Sequence, residues 1–161
     1  MSRGVLDTSV IVKSIFKPPK SLSDEIYKRE LETHNKCRNL IKKIEEEDMD
    51  VYIPKICVVE TAAVMKRLAD KNFAVKISKG VLDSYEVVDE VFLFDSAWTI
   101  AVETGCSGFD SYFIALAKIK NAILFTDDKG MSFHAKRVEV DSVLIRETNS
   151  KEIENKLKTD S

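Results

Sequence analysis

The sequence predicts an α/β protein, a three-layer α/β/α sandwich built on a central parallel sheet. Short apolar runs alternate with longer amphipathic segments along the whole chain, and strands joined through helices pair in parallel by right-handed crossovers. Only five Gly and three Pro among 161 residues exclude a turn-rich all-β chain. An apolar content of 44% over that length supplies one well-buried core and not two.

Arg3 to Leu6 form a short apolar run that ends in Asp7-Thr8-Ser9, after which Val10, Ile11, Ser14 and Ile15 fall on helical spacing. This reads as strand, cap and helix, stopped by Pro18-Pro19. Ser21 to Asp24 offers the next helix start, and Tyr27, Leu31, His34, Cys37, Ile41 and Ile44 draw one apolar stripe along a charged segment reaching to about Asp50. Val51 to Ile53 is a brief strand, Pro54 introduces a helix from Ile56 to Leu68, and a further helical region runs from Phe73 to Tyr85.

Val87-Val88 and then Val91 to Phe94 follow, the latter predicted as a buried strand with Asp95-Ser96 capping a helix that ends at Gly105. Ser107 to Lys120 is the next helix, Ala122 to Phe125 a strand and Asp128 to Phe133 a helical turn. Val138 to Val140 and Val143 to Ile145 supply the last strand material. Residues 1–147 are thus expected as one domain, and residues 148–161 as a polar tail that frays.

Charge and composition narrow the function. With 25 basic against 27 acidic residues the net charge is −2, so any nucleic-acid site must be a local patch. Cys37, Cys57 and Cys106 are odd in number and widely spaced, and with only His34 and His134 beside them they suggest neither disulfides nor zinc. No apolar run approaches the roughly 18 residues of a membrane helix, and Asp7 comes too early for a signal-peptide core. A cytoplasmic protein without membrane association is expected. Phosphate-loop and Gly-x-Ser-x-Gly signatures are absent, as are the acidic patterns of aspartyl phosphoryl transfer.

Asp7 follows the first strand and Asp127-Asp128 follow Ala122 to Phe125, which puts both groups at the carboxyl edge of the sheet, where open parallel sheets bind ligands. If the two strands are neighbours, the carboxylates meet. Taken singly each favours a helix N-cap, as does Asp110 in the capping-box pattern Ser107 to Asp110. Glu60 is different. Its neighbours three and four residues away are Ile56, Cys57, Ala63 and Val64, so its carboxylate lies in the apolar stripe of its own helix, where charge needs a partner or a metal. Two carboxylates about 4 Å apart repel by roughly 4 kcal/mol at an effective dielectric near 20, and a cluster of oxygen donors is suited to Mg²⁺ or Mn²⁺.

The runs Val5 to Ser9, Val58-Val59-Glu60, Phe109 to Ala117 and Leu124 to Asp128, in this order and spacing, resemble a PIN domain, most of all the single-domain VapC-type ribonucleases. The resemblance covers about Arg3 to Ile145. It implies a Mg²⁺- or Mn²⁺-dependent endoribonuclease, the toxin of a toxin–antitoxin pair. Asp7, Glu60 and Asp110 correspond to the first three acids and Asp128 to the fourth in a Thr-x-Asp pattern, with Asp127 an extra neighbour. Asp7 and Asp110, completed by Asp128, are then the metal ligands, and Glu60 positions or deprotonates the attacking water. Ser9 and Thr126 are accessory hydroxyls.

Lys13, Lys17, Lys66, Arg67 and Lys129 are candidate RNA contacts, and Phe109, Tyr112 and Phe133 candidate base-stacking rings. A small antitoxin and a homodimer are the partners implied. The stretch from Lys17 to about Thr33 is longer than compact members carry, and no zinc ribbon is attached. The alternative is a catalytically silent PIN-fold module that binds or dimerises only.

Overall fold

Five strands pair entirely in parallel in the order β3-β2-β1-β4-β5 in a computed structural model that describes residues 2–158. They are β1 (Arg3–Leu6), β2 (Asp50–Pro54), β3 (Glu86–Val88), β4 (Ile123–Thr126) and β5 (Ser142–Leu144). The chain starts at the centre, moves outward through β2 to β3, then crosses back to β4 on the other side of β1. Right-handed crossovers therefore put α1 (Thr8–Ile15), α2 (Asp24–Glu46), α3 (Ile56–Leu68) and α4 (Lys71–Ser84) on one face. They put α5 (Glu90–Thr104), α6 (Gly108–Lys120) and α7 (Lys129–Arg137) on the other. The packed helix pairs respect this division: α1 with α2 and α3, α3 with α4, α5 with α6, α6 with α7.

Strands buried on both faces need continuous apolar runs, and Val5, Leu6, Ile53, Leu124 and Phe125 are fully buried. Gly4 belongs to this packing, since a Cβ there would stand 3.0 Å from Met49 Cε and 3.2 Å from Phe125 Cε2. Beneath β1, β2 and β4 lies α6, in which five consecutive residues, Phe113 to Ala117, are buried. Its large members each contribute roughly 1.5–3 kcal/mol by leaving water. That helix fixes the position of its own first turn, which carries Asp110.

The structure departs from the sequence reading in four places. Val91 to Phe94 is not a strand: it opens α5, whose buried residues Leu93, Ala97 and Ile100 recur at helical spacing. Asp89 caps that helix by accepting the Val91 N–H at 3.1 Å, so Asp95 and Ser96 lie inside it. Val138 to Val140 is a turn closing α7, with Glu139 at φ +61°, and β5 holds only Ser142 to Leu144. The helical turn expected at Asp128 to Phe133 continues to Arg137.

The fourth departure is the segment expected as a fraying tail, which forms α8 (Ser150–Lys158) against α2. Ile153 and Leu157 are buried, and the Ser2 hydroxyl donates to the Leu157 carbonyl at 2.7 Å. Two apolar residues four apart were enough to dock a helix of otherwise polar composition. Residues 159–161 of that tail lie outside the described residues.

Candidate active site

The order in which the chain adds strands reverses between the parallel neighbours β1 and β4, which are paired with Leu6 opposite Phe125. Asp7 and Asp127-Asp128 are the next residues of these strands, so they stand side by side along the carboxyl edge, with the Asp127 side chain turned away from the other two. The Asp7 N–H still donates to the Phe125 carbonyl at 3.0 Å, extending the ladder to the acid itself.

Asp7 is only 5% exposed and occupies the N-cap position of α1, yet its side chain makes no capping bond. It is bracketed instead by two hydroxyls. Ser9 Oγ donates to Asp7 Oδ2 at 2.6 Å and Thr126 Oγ1 donates to the same oxygen at 2.8 Å. Ser9 Oγ in turn accepts the Asp127 N–H at 3.1 Å, and Thr126 Oγ1 accepts the Asp128 N–H at 3.0 Å. The ends of β1 and β4 are thereby joined through Asp7 by neutral donors, which orient the carboxylate without cancelling its charge.

Asp128 faces the same space from the start of α7. Its Oδ1 accepts the Met131 N–H at 2.9 Å, and the carboxylate lies over Gly130, where a Cβ would stand 3.2 Å from Oδ1. Asp110 enters from α6, whose cap is Ser107 Oγ accepting the Asp110 N–H at 3.1 Å. Glu60, half-buried on α3, accepts from Thr8 Oγ1 at 3.3 Å, and among the described residues no Lys or Arg pairs with it.

These acids sense one another. Burial raises the pKa of Asp7 above its ordinary value, and the charge of Asp128 adds to this despite the two hydroxyls. Burial likewise raises Glu60, with Asp7 and Asp110 pushing in the same direction. Asp110 is raised by burial and then by Asp128 and Asp7. Among the described residues no group of three or more His, Cys, Asp and Glu side chains is already arranged as a metal-ion site. The donor set is nonetheless all oxygen, and its shared repulsion is relieved by a hard divalent cation, so the residues fit such an ion.

Asp127 has a different fate from the one expected. Its side chain is fully buried and ion-paired to Lys13 and to Arg146 Nη2 at 3.0 Å, and it accepts the Arg146 backbone N–H at 2.9 Å. Burial pushes its pKa up, but the hydrogen bonds and charges of Arg146 and Lys13 outweigh this and hold it below the ordinary carboxylate value. It is therefore not an additional member of the acidic group. Side chains alternate along an extended strand end, so Thr126 and Asp128 turn one way and Asp127 the other.

The basic candidates are dispersed. Lys13 is engaged by Asp127 and by Glu30 at 3.2 Å and is not a free cation, and Lys129 pairs with Glu147 at 3.0 Å. Lys17 is exposed on the α1–α2 connection, and Lys66 and Arg67 are exposed in the last turn of α3. Sequence reasoning missed Thr8, Arg146 and His134. The Thr8 position suggests only a cap, whereas its hydroxyl serves Glu60. Arg146 follows β5 at the same sheet edge, a position legible only once β5 is known to lie beside β4. His134, on α7, favours the charged form of Asp110.

The PIN domain family matches this chain over residues 4–137. Among solved structures, VapBC2 from Rickettsia felis bound to a promoter DNA fragment superposes with a TM-score of 0.59 at 17% identity, covering 88% of this chain and 97% of the other. FitAcB from Neisseria gonorrhoeae gives 0.58 at 19% identity over 90% and 99%. PAE2754 from Pyrobaculum aerophilum gives 0.60 at 16% identity over 96% and 89%. At these identities the likeness is one of fold. No curated protein matches.

Proposed function

The chain belongs to the PIN domain family, whose members are generally nucleases and typically use divalent metals, and from that premise we propose that it is a Mg²⁺- or Mn²⁺-dependent endoribonuclease. The observation that carries this reading is the convergence of Asp7, Glu60, Asp110 and Asp128 at the switch point of the sheet. Asp7, Asp110 and Asp128 would hold the ion, which when bound supplies Lewis-acid stabilisation of the charge developing on the phosphodiester.

The protein's own residues do the remainder. Ser9 and Thr126 fix the direction of Asp7. Glu60, with its pKa raised by burial and by its acidic neighbours, accepts a proton from the water that attacks phosphorus in line, while the opposite P–O bond breaks and its oxygen leaves to be protonated by solvent. A carboxylate raised toward working pH is a stronger base than an ordinary one, and the Thr8 hydroxyl holds it in place.

The resemblance to VapC-type proteins, together with the likeness in fold to VapBC2, supports a small antitoxin partner here and a role as the toxin. An apolar groove of about 500 Å³, lined by Phe16, Pro18, Pro19, Leu22, Ile26 and Leu68 beside Lys13, is a surface for it. A homodimer is proposed on α5, where Phe94, Trp98 and Val102 form an exposed apolar stripe opposite the buried face. No helix among the described residues is long and apolar enough to cross a membrane.

Incubation of the purified protein with mixed RNA, and separately with single-stranded DNA, in Mg²⁺ or Mn²⁺ and then in EDTA tests the reading. RNA products that require the metal and vanish in Asp7→Asn are expected. Binding without metal-dependent products would leave the silent module in its place.

A further inference from the structure

We propose that the outer face of α7 is a stacking platform for an unpaired base of single-stranded RNA, with Phe133 as the platform and His134 and Arg137 as its polar flanks. The proposal rests on the nuclease reading for the identity of the ligand and adds to it the path along which the strand approaches.

Phe133 is 60% exposed on a short helix whose buried residues are Met131, Ser132 and Ala135. At 100° per residue those three lie together, and Phe133 projects on the opposite side. An aromatic ring left in water forgoes a large burial gain and calls for a partner. The ring is not bare of company. The His134 imidazole meets it edge to face at 5.4 Å and 70°, and the Arg137 guanidinium stands 5.8 Å from its centroid, at the outer limit of cation–π reach. A flat ring with a guanidinium beside it is what a nucleotide requires: a π face for the base and positive charge for its phosphate.

Charge points the same way. The sequence of α7 is Lys-Gly-Met-Ser-Phe-His-Ala-Lys-Arg, with no acidic residue, in a chain whose net charge is −2. Cations in the last turn are explained by the helix dipole alone, which accounts for Lys136 and Arg137. The dipole does not account for an exposed phenylalanine set among them.

Location supplies the third argument. Asp128, one of the four converging acids, caps α7, and Phe133 follows five residues later, about 7.5 Å along the axis. α7 also packs against α6, whose first turn carries Asp110. The platform thus begins where the acidic site ends. A duplex keeps its bases stacked inside and cannot offer one to a ring on a convex helix, so the ligand is single-stranded. Phe109 is also exposed, but neither a second ring nor a cation flanks it among the described contacts.

The test reads binding and not cleavage. Fluorescence anisotropy of a labelled mixed-sequence single-stranded RNA is measured in EDTA on an Asp7→Asn background, so that no turnover occurs and one repelling charge is gone. Phe133→Ala is expected to weaken binding by roughly 5- to 150-fold, the span of one stacked base. Phe133→Leu, equally apolar but without a π face, falls with it, Phe133→Trp binds as the parent does, and Ile119→Ala, an exposed apolar residue at the far end of α6, changes nothing.

A matched RNA duplex is insensitive to all four substitutions. Parental binding by Phe133→Leu, equal losses on single strand and duplex, or no binding of single strand by the parent would overturn the proposal. A protein that binds through Phe133 but never cleaves would overturn the nuclease reading alone.

Discussion

Replacing Asp127 and Asp7 by Asn, one at a time, separates an acid satisfied inside the protein from one left for an external cation. The Asp127 side chain is fully buried, while the side chains of its partners Lys13 and Arg146 are 29% and 25% exposed. Removing one member of a buried pair costs about 3–5 kcal/mol, and partial access of water to both cations reduces this to about 2–3 kcal/mol. For a domain of this length each kcal/mol moves the melting temperature by about 2–4 °C, so Asp127→Asn should melt roughly 5–10 °C lower.

Asp7→Asn keeps a side-chain oxygen for Ser9 and Thr126 and removes a charge that burial and Asp128 both disfavour. It should leave stability unchanged or raise it by about 1 kcal/mol. The assay is thermal unfolding at neutral pH in EDTA and in Mn²⁺. The parent and Asp127→Asn gain the same increment from the metal, and Asp7→Asn gains none. Equal destabilisation by the two substitutions, or a full metal increment in Asp7→Asn, would refute the division between them. The pH dependence has a definite sign. The stability Asp127 supplies is present above its unfolded pKa, near 3.8, and is lost as pH falls through its lower folded value, so the deficit of Asp127→Asn closes in acid.

Three further outcomes follow from the same geometry. Because Asp7, Glu60 and Asp110 are all raised, Mn²⁺ affinity should climb as pH rises through their folded values, with protons released on binding at and below that range; calorimetry in two buffers of different ionisation enthalpy, repeated down the acid range, reads the proton release directly. Gly130→Ala should hold or raise stability, since Ala is favoured over Gly in a helix by up to about 1 kcal/mol, while lowering nuclease turnover severalfold as the new Cβ presses on Asp128 Oδ1. Sedimentation of Trp98→Glu should show monomer where the parent is dimeric, and an unchanged oligomer would move the interface off α5.

What the sequence made legible was set by which interactions are local. Apolar runs ending in an acid placed Asp7 and Asp128 at one sheet edge, because strand direction and crossover handedness follow from short-range rules. The start of α5 was misread for a physical reason. Val91-Phe92-Leu93-Phe94 is apolar on every side, and only Leu93 faces the core, while Phe92 and Phe94 are 77% and 52% exposed. When a helix is apolar on its outer face as well, periodicity no longer distinguishes it from a buried strand. Arg146 stayed hidden because its meaning depends on β5 lying beside β4, a pairing between residues far apart in the chain.

The neighbouring aspartates after β4 show how the fold assigns charge at this edge. Cations are available nearby, since Lys13 and Arg146 both reach Asp127, one residue from Asp128 and hydrogen-bonded through its backbone to Ser9. Yet the side chains that donate to Asp7 are the neutral hydroxyls of Ser9 and Thr126, drawn from Asp7-Thr8-Ser9 and Thr126-Asp127-Asp128. Alternation at the strand end sends the ammonium and the guanidinium to the far side. Had either cation turned inward, it would have neutralised the acids permanently and no ion would be needed. With hydroxyls there instead, Asp7 is held in direction but not in charge, and burial together with the neighbouring acids raises the pKa values of three acids, the direction expected where negative charge is left for a divalent cation to offset.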